Sequence, residues 1–370
     1  LLSDELDGPR GRIYQIKDLL EGKPITAATR THLDRCLTCR ACETTCPSGV
    51  EYGRLVDIGR ELMEQRLTRS PLERLTRYGL RKVLPYPDRF GTLLALGRLL
   101  APLMPTPVKR KIPPRQQPLP PAAPAGSGRS MLVLEGCAQQ AATPRTNAAA
   151  RWLLARMGVD LIAAPEAGCC GAVSQHLAAP LEAKVFVRRN IDAWWPYIER
   201  GAEAIVVTAS GCAVMVKDYG HLLRDDPHYA DKARRIAALA KDISEVLRDL
   251  PLSRDRFKPD LPSVAFHSPC TLQHGQQLNG VVEGILRRAG FVLTPVADAH
   301  LCCGSAGTYS ILQPQLSQRL LSEKLTALQT PGPDIIATAN IGCQLHLASR
   351  AERPVIHWIE LLEAHCGDNR

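Results

Sequence analysis

Aromatic residues make up only 5% of this 370-residue chain, and no run of about 18 apolar residues occurs in it. A membrane-spanning helix is therefore not expected. Three familiar signatures are missing as well: there is no Walker loop, no G-x-G-x-x-G and no G-x-S-x-G. Nucleotide, flavin and serine-hydrolase readings lose their usual support. No positively charged leader with an apolar stretch behind it opens the sequence, so a secreted disulfide protein is not expected. Leu1 in place of Met leads us to expect a truncated N-terminus.

Charge is unevenly placed. Residues 1–130 hold 22 Lys and Arg against 13 Asp and Glu, which accounts for the whole formal charge of +9. Aromatic interleaving is poor there and no nucleic-acid motif is present, which argues against a nucleic-acid partner. An acidic partner or an anionic membrane surface fits the excess better, beside the plainer reading of basic, solvated helix faces. The segment FGTLLALGRLLAPLMP (90–105) puts Leu93, Leu96, Leu100 and Leu103 on one helical face, widened by Leu94 and Leu99. Lys109, Arg110 and Lys111 follow it. The pattern suits an interfacial helix, and equally a helix docked on a neighbouring domain.

What the chain has in plenty is cysteine: 13 residues, clustered at metal-ligand spacings. Cys36, Cys39, Cys42 and Cys46, closed by Pro47, give the C-x2-C-x2-C-x3-C-P run of a bacterial 4Fe–4S ferredoxin. In the two-cluster form of that fold the first three cysteines hold one cluster and the fourth ligates the other. Two such runs are needed, and this sequence holds one. Zinc also takes thiolates from C-x2-C pairs, but a third cysteine at the same interval followed by C-x3-C-P favours iron and sulfide.

Residues 112–130 carry six prolines and read as a linker. Before it, 54–67 and 71–84 have helical apolar spacing, the second with Ser70 as N-cap and Pro71 at the first helical position. After it the chain repeats itself. MLVLEGC ends at Cys137 and SVAFHSPC at Cys270. AGCCGA brings Cys169 and Cys170, and HLCCGS brings Cys302 and Cys303. AIVVTASGC reaches Cys212 and DIIATANIGC reaches Cys343. The landmarks recur at offsets of 133, 133 and 131 residues, which implies a duplicated module.

Each half alternates short buried-strand runs with helical stretches, at 146–158, 180–195, 279–290 and 314–328, so parallel α/β sheets are expected. Ligand groups in such sheets gather beyond the carboxyl ends of the strands. Cys137, Cys169, Cys170 and Cys212 should therefore meet at one rim, and Cys270, Cys302, Cys303 and Cys343 at another. Four thiols per module suit an iron–sulfur cluster or a closed zinc site. The adjacent Cys–Cys sulfurs lie too near for easy chelation of one ion, which favours a multi-iron cluster or redox-active thiols. Cysteines packing as small hydrophobes do not explain two matching sets of four. Cys366 has no counterpart. His267, His274, His300, His346 and His357 fall in or after the second module. Ordinary hydrogen bonding is expected for most, with His346, three residues beyond Cys343, as the exception.

One ferredoxin-type run joined to two CCG modules resembles the iron–sulfur subunits of membrane-associated dehydrogenases. That group includes glycolate oxidase, anaerobic glycerol-3-phosphate dehydrogenase, the lactate-utilisation proteins and heterodisulfide reductase. The likeness rests on residues 5–22, 32–50, 267–277, 300–310, 340–347 and 352–362, spans essentially the whole chain, and is greatest to the glycolate oxidase branch. It implies an α/β chain: a partial helical 4Fe–4S ferredoxin-type domain (1–70), a helical segment and Pro-rich linker (71–130), and two CCG modules (131–250 and 260–365). It further implies that Cys36, Cys39 and Cys42 hold one cluster and Cys46 a corner of the next, with further iron–sulfur clusters or zinc in the modules.

The implied work is electron transfer. A flavin-containing subunit would oxidise glycolate to glyoxylate, and this chain, not itself acting on glycolate, would pass the electrons to a membrane quinone from the inner face of the cytoplasmic membrane. A lactate or glycerol-3-phosphate dehydrogenase subunit, or a CCG-type disulfide or quinone reductase, is the alternative. Two departures from the family pattern matter. The fullest CCG pattern ends in C-x2-C, but Met215 and His346 stand at the second of those positions, against a five-thiolate cluster and disulfide reduction. Family members also carry another ferredoxin-type run upstream of the segment starting at Leu1. Without it the first cluster is expected to lack a fourth thiolate.

Overall fold

The apolar runs ahead of the module cysteines are strands. In the computed structural model, which describes residues 2, 4–120, 123–126 and 128–367, they form two parallel sheets. β1 (Ser130–Val133), β2 (Asp160–Ala163), β3 (Ile205–Val207) and β4 (Ala240–Asp242) lie in the order β2-β1-β3-β4. β5 (Val264–His267), β6 (Ile335–Thr338) and β7 (Val355–His357) lie in the order β5-β6-β7. The second sheet keeps a trace of the missing edge. Val264 N donates to Val292 O and Thr294 N to Val264 O, each at 2.9 Å, where the first sheet has β2. All of β3 and β5 is buried, as expected for parallel strands with helices on both faces. The α/β class with duplicated parallel-sheet modules is the one found.

The modules pack on each other reciprocally. Helix Arg145–Ala155 of the first lies on Trp358–His365 of the second, and Val281–Arg288 of the second lies on Ile243–Arg248 of the first. One core runs through both, joining Val133, Leu153 and Leu154 to Phe266, Ile285 and Trp358. The last strands reach across as well. His357 Nε2 lies 2.9 Å from Thr208 O, and Gln276 Nε2 donates to Asp242 at 3.1 Å. Asp242 and His357 each also cap the helix that follows its strand, accepting from Ser244 N and Ile359 N.

Ahead of the modules, helices Pro9–Leu20, Ala27–Asp34 and Tyr52–Arg66 enclose Ile16, Leu19, Leu33, Val56 and Met63. Helix Pro71–Val83 starts as its sequence predicts. Ser70 accepts from Glu73 N, and the Glu73 carboxylate returns to Ser70 N, closing a capping box. Helix Pro87–Leu100 forms where the leucine row was expected, with most of that row facing outward. Leu94 is its buried residue, packed toward helix Cys137–Ala142, while Leu93, Leu96, Leu99 and Leu100 are exposed, as is Leu103 just beyond. The leucine row turns away from the modules because a narrow line through Leu94 and Gly91 makes the contact. Residues 113–120 contain neither helix nor strand. They are pinned all the same: Arg98 Nε donates to Pro113 O at 2.9 Å and Gln116 Nε2 to Glu360 at 3.3 Å.

Candidate metal centres

The ferredoxin-type loop is wound tightly because Thr38 and Arg40 both take left-handed backbone, with φ of 53° and 59°. Beneath it the buried Arg60 donates to Cys36 O at 2.8 Å, Leu33 O at 3.2 Å and Thr38 Oγ1 at 2.9 Å. Thr38 N donates to Cys36 Sγ at 3.4 Å, and the Tyr52 hydroxyl to the same sulfur at 3.7 Å. Burial pushes the Cys39 thiol up to about 12, helped by neighbouring Cys270 and Cys36, and pushes Cys42 up to about 12, helped by Cys39 and Cys36. Cys36, Cys39 and Cys42 thus share one pocket. Cys46 stands apart, its thiol lowered by the N–H groups of Val50, Ser48 and Gly49.

The loop lies against the second module. Besides the Cys39–Cys270 proximity, the Tyr309 hydroxyl donates to Arg35 O at 3.2 Å, and Thr44 Oγ1 lies 3.1 Å from His274 Nδ1. An open pocket of about 650 Å³ beside Cys36, Cys39 and Cys42 is lined also by Tyr309 and Leu320 of that module. The first module is held by an ion pair of Arg40 with Asp218 at 2.5 Å, and His176 Nδ1 lies 3.3 Å from Asp57 Oδ1.

Within each module the expected four thiols do converge. Neighbouring thiols lie close enough to shift one another's titration in series, from Cys137 through Cys169 and Cys170 to Cys212, and from Cys270 through Cys302 and Cys303 to Cys343. Cys137 opens helix Cys137–Ala142, while Cys212 and Cys343 lie in the first turns of Ser210–Lys217 and Ile341–Ala348. Helix N-termini favour the thiolate. Gly171 and Gly304, at φ of 92° and 86°, turn their N–H groups onto Cys169 Sγ at 3.4 Å and Cys302 Sγ at 3.3 Å. This turn is the reason for the glycine of each CCG.

Met215 and His346, where a fuller pattern has cysteine, brace those glycines. Met215 Cε lies 3.4 Å from where a Gly171 Cβ would be. His346 Nε2 lies 3.0 Å from Ser317 Oγ, which donates to Gly304 O at 2.7 Å. His346, expected to be the exception to ordinary hydrogen bonding, is hydrogen-bonded to Ser317 and supports the Gly304 turn through it.

The donor chemistry fits a cationic centre. Cys137 and Cys270 are pushed well above the ordinary thiol range by hydrogen bonding to Cys169 and Cys302, and then by burial. Four thiolates so close need positive charge among them, which iron or zinc would supply. Among the described residues, no three sulfurs of the first module lie within 4.8 Å of one another. That strip is wider than the shell of one zinc ion, with Zn–S near 2.3 Å, and it suits a multi-atom cluster.

His267, grouped in the sequence with histidines expected to be ordinarily hydrogen-bonded, departs from that expectation. It closes β5, is 1% exposed, and neither ring nitrogen has a hydrogen-bond partner. A ring nitrogen and the sulfurs of Cys303 and Cys343 lie within 4.8 Å of one another. Burial, and then the charge of Lys324, pushes its imidazole down to about 3. Aligning the two repeats could have found it, since an offset of 133 sets His267 against Leu134.

Residues 131–217 and 264–348 each match the Cysteine-rich domain family, CCG. The chain is 53% identical to the glycolate oxidase iron-sulfur subunit of Escherichia coli (strain K12), over 98% of this chain and 89% of that protein. It is 29% identical to a probable glycolate oxidase iron-sulfur subunit of Bacillus subtilis (strain 168), over 94% of this chain and 84% of that protein. Lactate utilization protein A of Bacillus licheniformis is 28% identical, over 57% of this chain and 90% of its own length.

Proposed function

This chain belongs to the family of glycolate oxidase iron–sulfur subunits, and from that premise we propose that it carries electrons from a flavin-bearing partner that oxidises glycolate to glyoxylate toward a membrane quinone. It is the electron-transfer member of an oxidoreductase complex, with no chemistry of its own on glycolate. Iron–sulfur clusters exchange single electrons, which suits them to empty a flavin that has taken two.

The observation that carries the reading is the joining of three thiol sites in one packed unit, with the Cys36, Cys39 and Cys42 loop seated against the module of Cys270, Cys302, Cys303 and Cys343. In this reading Cys36, Cys39 and Cys42 bind one 4Fe–4S cluster and Cys46 serves a neighbouring one. The eight module cysteines bind two further centres. Thr38, Gly171 and Gly304 aim N–H groups at ligand sulfurs, and such bonds tune cluster potentials. The exposed leucines at 93, 96, 99 and 103, with Lys109, Arg110 and Lys111 beyond them, would rest on the inner face of the cytoplasmic membrane, where a quinone is reached.

Co-expression with candidate flavin subunits, followed by glycolate-dependent reduction of a dye and of a soluble quinone, tests this. Co-purification with glycolate-driven bleaching of the iron–sulfur absorbance is expected. Bleaching by lactate or glycerol 3-phosphate and not by glycolate would overturn the substrate.

A further inference from the structure

The two modules are alike in thiols and, besides Met215 against His346, differ in a fully buried side chain beside them. Leu134 of the first is an apolar wall, 1% exposed. Its counterpart, His267, is equally buried but carries two nitrogens with no hydrogen-bond partner. Burying an imidazole with neither nitrogen satisfied is destabilising, so the arrangement calls for a partner. Two neighbours define where that partner lies. Cys303 Sγ, Cys343 Sγ and a His267 ring nitrogen are mutually within 4.8 Å, the spacing of groups that share one metal atom. No trio of first-module donors is drawn together in this way among the described residues.

His267 is also fixed in place. It stands three residues before Cys270 and ends a strand whose ladder to β6 pairs it with Thr338. Its ring therefore enters from the strand end, while Cys303 enters from the CCG loop and Cys343 from the first turn of helix Ile341–Ala348. Donors arriving on three separate elements surround a point, which one loop does not do. The nearby ammonium of Lys324 is already engaged, donating to the carbonyls of Asp298 and Ala299, each at 3.0 Å. It leaves the imidazole lone pair free for a metal.

We propose that a ring nitrogen of His267 is bonded to the metal of the second module, giving that centre a mixed thiolate and imidazole donor set that Leu134 denies to the first. This rests on the reading that each module holds a metal centre. With four thiols in each module, the imidazole adds a neutral donor without changing the number of thiolates, so the two centres differ in donor set and not in thiolate count. Duplication would have produced two unequal stations from one repeated sequence.

The test uses the full chain, purified anaerobically with histidine labelled by 15N. Metal and sulfide content of the wild type and of a Cys302→Ser, Cys303→Ser variant first shows whether the second module holds a centre. If that variant loses no metal, both the reading and this inference fail. If metal is lost, pulsed EPR of the reduced wild type should show a strong 15N coupling. It should be absent in His267→Cys, which keeps a donor at the site and the metal content, and it should persist in His346→Gln. For zinc, X-ray absorption should show one nitrogen among sulfurs, replaced by sulfur in His267→Cys. A centre with no directly bonded nitrogen, or a coupling unchanged in His267→Cys, would overturn the inference while leaving the metal reading intact. A weak coupling of the kind made by a hydrogen bond to a ligand sulfur would overturn it too.

Discussion

A Cβ on Gly304 would stand 2.5 Å from the carbonyl oxygen of Ser317, whose hydroxyl holds the Gly304 carbonyl at 2.7 Å. Backbone cannot move aside as a flexible side chain can. The φ of 86° adds a second barrier to any other residue. Gly304→Ala should strip metal from the second module and destabilise the chain by at least about 1–3 kcal/mol through backbone strain alone. At Gly171 the nearest obstacle is Ala183 O at 3.1 Å, so Gly171→Ala should be the milder lesion. Metal content and apparent Tm of the two variants, compared side by side, check this ordering.

Removing thiolates should separate the centres. Cys39→Ser is expected to abolish the ferredoxin-type EPR signal, because Cys36, Cys39 and Cys42 share one pocket. Cys303→Ser should leave that signal and remove the second-module centre. If either substitution removed both signals while the fold, by circular dichroism, stayed intact, the assignment of separate donor sets would be wrong.

The leucine row makes a surface prediction. Leu96 is 50% exposed and Leu99 75% exposed, so neither supports the core. Replacing both with Glu removes about 1.5–3 kcal/mol of apolar transfer per side chain and adds charge of the wrong sign. Binding to vesicles containing anionic lipid should fall at least tenfold in a co-sedimentation assay, with cluster content unchanged. Equal binding by the variant would exclude this face as the membrane contact.

A pH dependence follows from Asp242. Its carboxyl is fully buried, and burial raises its pKa even though Ser244 and Gln276 donate to it. The folded state thus holds the proton more tightly than the unfolded state does. Its contribution to stability is fully present below the ordinary Asp value of about 3.9 and is lost as pH rises through the raised one. The slope approaches about 1.4 kcal/mol per pH unit between the two. Asp242→Asn keeps a capping side chain and removes the titration. Its apparent Tm should decline less than the wild type's as pH rises from about 4.

Spacing made the duplication legible, because three landmarks at near-equal offsets survive whatever the intervening residues do. Helix starts were legible where chemistry is local: Pro71 behind Ser70 marks one end, although the Glu73 half of the capping box was not foreseen. Burial was harder to read. The leucines of 93–103 were correctly seen as a row, but which side of the helix meets the modules depends on Gly91 and Leu94, set by packing. His346 drew attention because it stands one turn after Cys343, yet Ser317 occupies it from a distant helix. His267 was grouped with ordinarily hydrogen-bonded histidines because an imidazole without a partner is a property of three-dimensional surroundings.

The reciprocal packing of helices Arg145–Ala155 on Trp358–His365 and Val281–Arg288 on Ile243–Arg248 is the contact an isologous dimer of a single module would make. Each repeat supplies one wall of the core that the two share. A cut between them would expose the shared core on both pieces. The pair should therefore melt in one cooperative transition, and a metal lost from one repeat would loosen its sister.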